Sequence, residues 1–191
     1  MIRIQLFCDG QHHIGGLELL DSWRKNAAAF LWMDIEGESL ERENDILVSM
    51  DCHPLAIEDI QRPRHPPKCE MFDNFTLLLY RGFVEFSPEL DVEQMPIALF
   101  SNERCLISCK RGPSRGVNHY WEHAHNEGLL PTPGLLALRI MRYSVSRCLE
   151  AILNFEPLLL ELEDVMQQGA TDDTMRDVIA YQSSLRKLKR V

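Results

Sequence analysis

The chain has 191 residues, of which 45% are hydrophobic and 26% are charged, and its formal net charge is −9. This composition suits one folded α/β domain with a long helical appendage and argues against a disordered chain. The negative charge argues against nucleic-acid binding, because phosphate contacts need a basic surface, and it favours the attraction of cations. No apolar run reaches the roughly 18–20 residues that cross a bilayer, and the alternating pattern of the first residues differs from a signal peptide.

Strand patterns dominate the first two thirds of the chain. Short apolar runs with alternating or β-branched residues, bounded by turn residues, are typical of strands. The predicted strands are residues 2–8, 17–23 (as the partner of 2–8), 29–35, 75–86, 95–102 and 104–110. The prolines of RPRHPPK, residues 62–68, predict a rigid extended connector, because proline is excluded from helix interiors and central strands.

Two shorter helices are predicted between these strands and a third after the last of them. Ser39 is placed to cap a helix that runs from Leu40 to about Met50, with acidic residues in its first turns. Pro54 suits the first position of the next helix, PLAIEDIQ. Residues 117–126 follow a loop and have a helical pattern.

From Pro133 onward, apolar residues recur at steps of three and four, which predicts a long amphipathic helix over 133–169 that Pro157 kinks or splits. A second helix is predicted over 170–191. It has no stop signal, so we expect it to continue in a longer protein. The predicted fold class is therefore α/β: a mixed central sheet flanked by helices over residues 1–132, followed by long amphipathic helices.

Three segments carry a resemblance to a known family. LWMDIEG at 31–37, HPLAIEDI at 53–60 and PPKCEMFDNFTLLLYR at 66–81 follow one another in this order. The order resembles the CorA family of magnesium and related divalent cation transporters, in which a W-x-D strand and a helix lead to HPLxxED and then to a Pro-Lys-x-Glu segment. The match is close over residues 30–81, and the layout continues over 90–191.

The resemblance implies a cytoplasmic regulatory, metal-sensing domain of a channel-transporter for Mg²⁺, with Co²⁺ or Ni²⁺ as other ions. In such a protein, five copies form a funnel on the cytoplasmic face of the inner cell membrane, and C-terminal helices outside this sequence cross the membrane. The Gly-Met-Asn motif that marks the family's pore mouth is absent here. The chain by itself is expected to be soluble, to be a monomer or a dimer, and to have no enzymatic activity.

The resemblance also assigns a metal role to Asp59, the last residue of HPLAIED, with Glu58 as the second candidate. Mg²⁺ prefers carboxylate oxygens and keeps several waters, so one or two acids per subunit are sufficient. In the family this regulatory ion lies between neighbouring subunits. Its partner acid is expected beyond Val191, so the ion is expected to bind this chain weakly or not at all. Lys68 and Glu70 are expected to pair with charges of the same domain.

Three other functions stay open. A zinc transporter of the ZntB-like branch would share the fold, and a free-standing metal-sensing or scaffold protein would share the domain. A zinc hydrolase would use His119 and His123, which lie four residues apart and therefore share a helix face, although no HEXXH motif is present. We expect His53, which precedes a helix, to cap that helix or to pack beside it.

Overall fold

The computed structural model describes residues 1–62, 65–86 and 92–188. The strands are β1 (Ile2–Cys8), β2 (Gln11–Gly15), β3 (Phe30–Glu36), β4 (Lys68–Met71), β5 (Thr76–Phe86), β6 (Val92–Ser101) and β7 (Cys105–Lys110). The helices are α1 (Leu20–Lys25), α2 (Leu40–Ser49), α3 (Pro54–Gln61), α4 (Arg115–His123), α5 (Pro133–Gly169) and α6 (Asp172–Leu188).

These strands form one seven-stranded sheet with the order β2-β1-β3-β7-β6-β5-β4. β3 and β7 pair in parallel at its centre, whereas the other neighbours pair antiparallel. Helices cover both faces: Leu47 of α2 and Ala56 of α3 are buried against one face, and Val117 of α4 and Ile140 of α5 against the other. The predicted fold class, a mixed sheet flanked by helices and followed by a long helix, is confirmed.

The predicted partner of the first strand is wrong. Residues 17–19 form a 3-10 turn that leads into α1, and Leu20 is buried beneath it. The partner of β1 is β2, and Asp9 and Gly10 form the two-residue turn between them with φ of 52° and 74°. Both residues are therefore left-handed, the conformation that tight hairpins require and that an Asp-Gly pair adopts readily.

Side chains define the starts of the two helices after β3. The Ser39 hydroxyl accepts a hydrogen bond from the backbone N–H of Arg42 at 3.3 Å, which confirms the predicted cap of α2. Nδ1 of His53 accepts from the N–H of Leu55 at 3.2 Å, and the His53 ring stacks on Phe72 at 4.8 Å. His53 thus both caps α3 and packs beside it, as predicted.

The edge of the sheet was not predicted. Lys68–Met71 forms β4, which pairs antiparallel with β5 so that Lys68 lies opposite Leu79. KCEM is short and has no β-branched or aromatic residue, so its strand conformation depends on the neighbouring strand. Two residues of the predicted connector, Pro63 and Arg64, lie outside the described residues.

α5 is a single helix of 37 residues, so Pro157 does not split it. Pro157 lies in an exposed stretch, where water can solvate the carbonyl group that has lost its donor. Phe155 packs edge-on against Tyr181 of α6 at 5.2 Å. Residues 189–191 of the predicted second helix lie outside the described residues. Within the described part of the chain, no helix combines the length and the apolarity needed to cross a membrane.

Candidate functional site

A charged network is buried at the centre of the sheet. The side chains of Asp34 and Lys110 are both 0% exposed, and Nζ of Lys110 lies 2.8 Å from Oδ2 of Asp34. The same ammonium group donates to Oε2 of Glu36 at 2.6 Å. The parallel register creates this arrangement, because it places Glu36 opposite Lys110 in the neighbouring strand.

Two further groups donate to the Asp34 carboxylate, and a third residue holds one of them. Arg3, opposite Asp34 in β1, donates through Nε to Oδ2 at 2.8 Å. Ser108 donates to Oδ1 at 2.6 Å and accepts from the indole N–H of Trp32 at 3.1 Å. The Trp32-x-Asp34 pair therefore belongs to a sealed polar core, in which every charge has a partner.

Sequence reasoning missed this network. Asp34 and Lys110 stand within strands whose other residues are mostly apolar. A buried charge is stable only with a partner, so their positions signalled a pair. Which residues pair depends on strand register, however, and no local pattern gives the register between β3 and β7.

Asp59, the predicted metal-binding residue, lies near the end of α3 and is only 14% exposed. Its Oδ2 accepts a hydrogen bond from Nζ of Lys68 on β4. Its Oδ1 lies 3.1 Å from Nε2 of His65, and the guanidinium of Arg62 is 3.8 Å away. The carboxylate is thus surrounded by basic groups of its own domain.

Lys68 joins two carboxylates, since its ammonium group also donates to Oε2 of Glu70. This confirms the expected pairing within the domain. Burial acts to raise the pKa of Asp59, but the hydrogen bond from Lys68 and the nearby positive charges outweigh it, so this pKa lies below its ordinary value. The hydrogen bonds to Asp59 and Glu70 raise the pKa of Lys68. We name Asp59, His65, Lys68 and Glu70 the edge cluster.

Glu58 lies outside the edge cluster. Its side chain is 56% exposed and pairs with Arg62 one helical turn later, at 2.5 Å. Consecutive helix residues point in different directions, so Glu58 and Asp59 do not act as a chelating pair within one copy of the chain. Glu58 remains accessible to a ligand from outside the domain.

The edge cluster fits a divalent cation only in a rearranged form. Asp59 and Glu70 supply the carboxylate oxygens that Mg²⁺ prefers, but the Lys68 ammonium group occupies the place between them. Among the described residues, no group of three or more His, Cys, Asp or Glu side chains is arranged to hold a metal ion. A cation would therefore have to displace Lys68 and take its other ligands from water or from a second chain.

The histidines of the predicted zinc alternative do lie together. The His119 ring stacks on His123 at 4.6 Å and on Tyr143 at 4.8 Å. Nδ1 of His123 lies 2.6 Å from the carbonyl oxygen of His119, which leaves one ring nitrogen of His123 for a ligand. In the described structure, no acidic, cysteine or histidine side chain completes a set of three with them.

A cavity of about 670 Å³ lies between the start of α5 and the β4 edge of the sheet. Its walls are mainly apolar; residues from three elements include Cys69, Leu78 and Leu138. Cys69 alternates with Lys68 and Glu70 along β4, so the cavity opens on the opposite face of the strand from the edge cluster. It is therefore separate from the site that the charged residues define.

The architecture is an α/β domain whose sheet carries two lysine–carboxylate clusters and passes into two long helices. Residues 27–191 match the family described as CorA-like Mg²⁺ transporter protein. The chain belongs to this family. No curated protein sequence gives a significant match.

Solved structures share this fold. The complete CorA magnesium transporter from Methanocaldococcus jannaschii superposes with a TM-score of 0.73 at 14% identity, over 97% of this chain and 57% of that chain. The soluble domain of CorA from the same organism gives a TM-score of 0.69 at 14% identity, over 95% of this chain and 71% of that chain. The ZntB cytoplasmic domain from Vibrio parahaemolyticus RIMD 2210633 gives a TM-score of 0.62 at 15% identity, over 98% of this chain and 72% of that chain. The chain therefore spans little more than half of the complete transporter.

Proposed function

We propose that this chain is the cytoplasmic regulatory domain of a CorA-like channel-transporter for Mg²⁺, with Co²⁺ or Ni²⁺ as other permeating ions. The observation that carries the proposal is the family match over residues 27–191. The superposition of nearly the whole chain on the complete transporter supports it. In this proposal the ion crosses the membrane elsewhere in the protein, and the domain senses, assembles and gates.

The whole protein would be a homopentamer at the inner membrane, attached through C-terminal helices outside this sequence. The formal charge of −9 would raise the local concentration of divalent cations around the domain by a field effect, without direct ligation. α5 and α6 suit the role of mechanical connection, because a long helix transmits a displacement along its axis.

We further propose that Asp59 responds to the divalent cation, with Glu58 in a supporting role. Asp59 lies near a helix end and is 14% exposed, and Glu58 beside it is 56% exposed. Ligands from a second copy would complete the coordination of the ion, so the ion would hold two copies together. Its loss would release them, which is a population shift driven by differential affinity.

Flux through the whole protein tests this proposal. The protein that carries this domain would be purified and reconstituted in liposomes that contain a Mg²⁺-sensitive dye. We expect Mg²⁺ influx that falls when Mg²⁺ is present on the side of the domain, and a weaker fall in Asp59→Asn. Absence of Mg²⁺ flux from a correctly assembled protein would contradict the transporter assignment. Flux that is insensitive to Mg²⁺ on the domain side would contradict the regulatory role.

A zinc transporter is the second candidate, favoured by the likeness to the ZntB cytoplasmic domain. The same liposomes with a Zn²⁺-sensitive dye separate the two. Flux of Zn²⁺ without flux of Mg²⁺ would establish this second candidate. A protein that binds divalent cations and transports neither ion would indicate a free-standing sensor or scaffold.

A further inference from the structure

The cavity between α5 and the β4 edge of the sheet has the size and the walls of a small-molecule site. Its volume of about 670 Å³ falls within the roughly 300–1,000 Å³ of such sites, whose walls are mainly apolar. Leu99 of β6 lines it and is 0% exposed, whereas Leu135 and Leu138 of α5 line it and remain 46% and 55% exposed. An apolar occupant would therefore cover leucine surface that now faces water.

The charge of this cavity comes from Glu103. Among the described lining residues it is the only charged one, and it lies exposed in the turn between β6 and β7. The neighbouring Arg104 does not neutralise it, because its guanidinium donates to the carbonyl oxygens of Trp23 and Asn26 at 3.0 and 2.6 Å. No basic side chain of the described residues forms an ion pair with Glu103. The cavity therefore combines apolar walls with a negative charge that no side chain compensates.

Two polar side chains of the lining are already satisfied within the protein. The Asn102 side-chain oxygen accepts hydrogen bonds from two backbone N–H groups at 2.9 and 2.8 Å. The Thr132 hydroxyl donates to a backbone carbonyl oxygen at 3.0 Å. Among the described lining side chains, this leaves the hydroxyls of Thr76 and Ser101 and the carboxylate of Glu103 for a ligand. A ligand would thus be selected by its apolar body and by its charge.

We propose that this cavity binds a small organic cation, which consists of an ammonium group on an apolar alkyl or aryl body. The ammonium group would lie at Glu103, and the apolar body would cover Leu135 and Leu138. The carboxylate would repel an anion of the same shape, and the formal charge of −9 acts in the same direction. The proposal is independent of the metal role of Asp59, because the cavity opens on the opposite face of β4.

Three probes of nearly equal size and different charge test the proposal: 4-phenylbutylammonium, 4-phenylbutanol and 4-phenylbutyrate. Each is titrated into the ¹⁵N-labelled chain, and the amide shifts give both the position and the dissociation constant. We expect the ammonium probe to shift the amides of Leu99, Gly134 and Leu138 saturably. It should bind roughly two- to fivefold more tightly than the alcohol, because Glu103 is exposed and the ion pair is screened. The carboxylate should bind most weakly.

Variants separate the charge from the walls. Glu103→Gln should remove the advantage of the ammonium probe over the alcohol and leave the affinity for the alcohol unchanged. Glu127→Gln is its control, because Glu127 is an exposed acid outside the lining. Leu138→Gln should weaken binding of all three probes. Leu149→Gln is the matched control, because Leu149 lies on the same helix, is 56% exposed and lies outside the lining.

Several results would overturn the proposal. One is the absence of saturable shifts at the lining residues with the ammonium probe up to about 10 mM. Others are shifts confined to α6 and the far half of α5, equal affinity for the ammonium and the carboxylate probe, and an unchanged preference in Glu103→Gln. The comparison of the three probes uses the wild-type chain, so it holds even if a variant does not fold.

Discussion

The molecule contains two lysine–carboxylate clusters that differ in burial. At the sheet centre, Lys110 and Asp34 are sealed from water, and each has additional partners. At the sheet edge, Lys68 and Asp59 have similar chemistry, but the lysine and Glu70 reach solvent. The same ion pair is therefore permanent in one place and exchangeable in the other.

Burial, more than the identity of the charged groups, therefore decides whether a lysine is structural or can be displaced. Removing Lys110 from Asp34 would deprive two charges that are sealed from water of a partner that water cannot replace, which is strongly unfavourable. Removing Lys68 from Asp59 exposes both groups to water, which solvates them at a small cost.

Asp34→Asn should be the most damaging single change at either cluster. It leaves Lys110 and Arg3 with fewer negative partners in a sealed environment, and breaking a buried pair in this way costs about 3–5 kcal/mol. Urea denaturation followed by circular dichroism measures the free energy of unfolding. A loss of unfolding free energy below about 1 kcal/mol would show that the Asp34–Lys110 pair stabilises the fold no more than an exposed pair does.

Lys68→Met should change the free energy of unfolding by less than about 1 kcal/mol, because solvent screens the edge cluster. The same denaturation experiment measures it, next to Asp34→Asn. A loss as large as that in Asp34→Asn would show that Lys68 is a structural residue.

His12 is partly buried, and its protonation should have a smaller effect on stability. Its ring is partly buried and stacks on His125 at 4.2 Å, while Nε2 lies 3.2 Å from Oε1 of Gln5. Burial, followed by the charges of His125 and His13, lowers the pKa of His12 from its ordinary value of 6.5. The unfolded chain therefore binds the proton more readily than the folded chain does, so stability is full above the ordinary pKa and falls as pH decreases through the folded pKa.

His12→Gln should flatten the dependence of the unfolding midpoint on pH between about pH 7 and pH 5. His123→Gln is the control, because His123 is exposed and is not among the groups that lower the pKa of His12. Urea midpoints at several pH values measure both variants. An unchanged slope in His12→Gln would show that the stacked ring does not resist protonation.

Local sequence patterns were sufficient to predict part of this structure. The Ser39 cap, the Pro54 helix start and the helix from Pro133 depend on residues within one or two turns, and the sequence contains all of them. Asp9-Gly10 is a strong turn signal, so the β1–β2 hairpin could also have been predicted. The apolar residues after Gly16 led instead to the prediction of a strand over 17–23, where the structure has a 3-10 turn.

Local sequence patterns could not predict the two lysine–carboxylate clusters. The Asp34–Lys110 pair joins residues 76 positions apart, and only the register of β3 and β7 brings them together. At the edge, the sequence predicted that Lys68 pairs within its domain and that Asp59 binds metal, without showing that the two residues meet. Their meeting follows from where β4 docks on β5, which depends on the assembled sheet.

The metal role proposed for Asp59 can be tested on the Lys68 ammonium group, which is followed by ¹⁵N NMR of the wild-type chain during a titration with Mg²⁺. Ammonium protons held in hydrogen bonds exchange slowly enough to be observed, and the buried Lys110 serves as an internal reference. Because Lys68 lies between Asp59 and Glu70, we expect its signal to disappear as Mg²⁺ is added, while the Lys110 signal stays unchanged. A Lys68 signal that persists at saturating Mg²⁺ would contradict binding of the ion at Asp59.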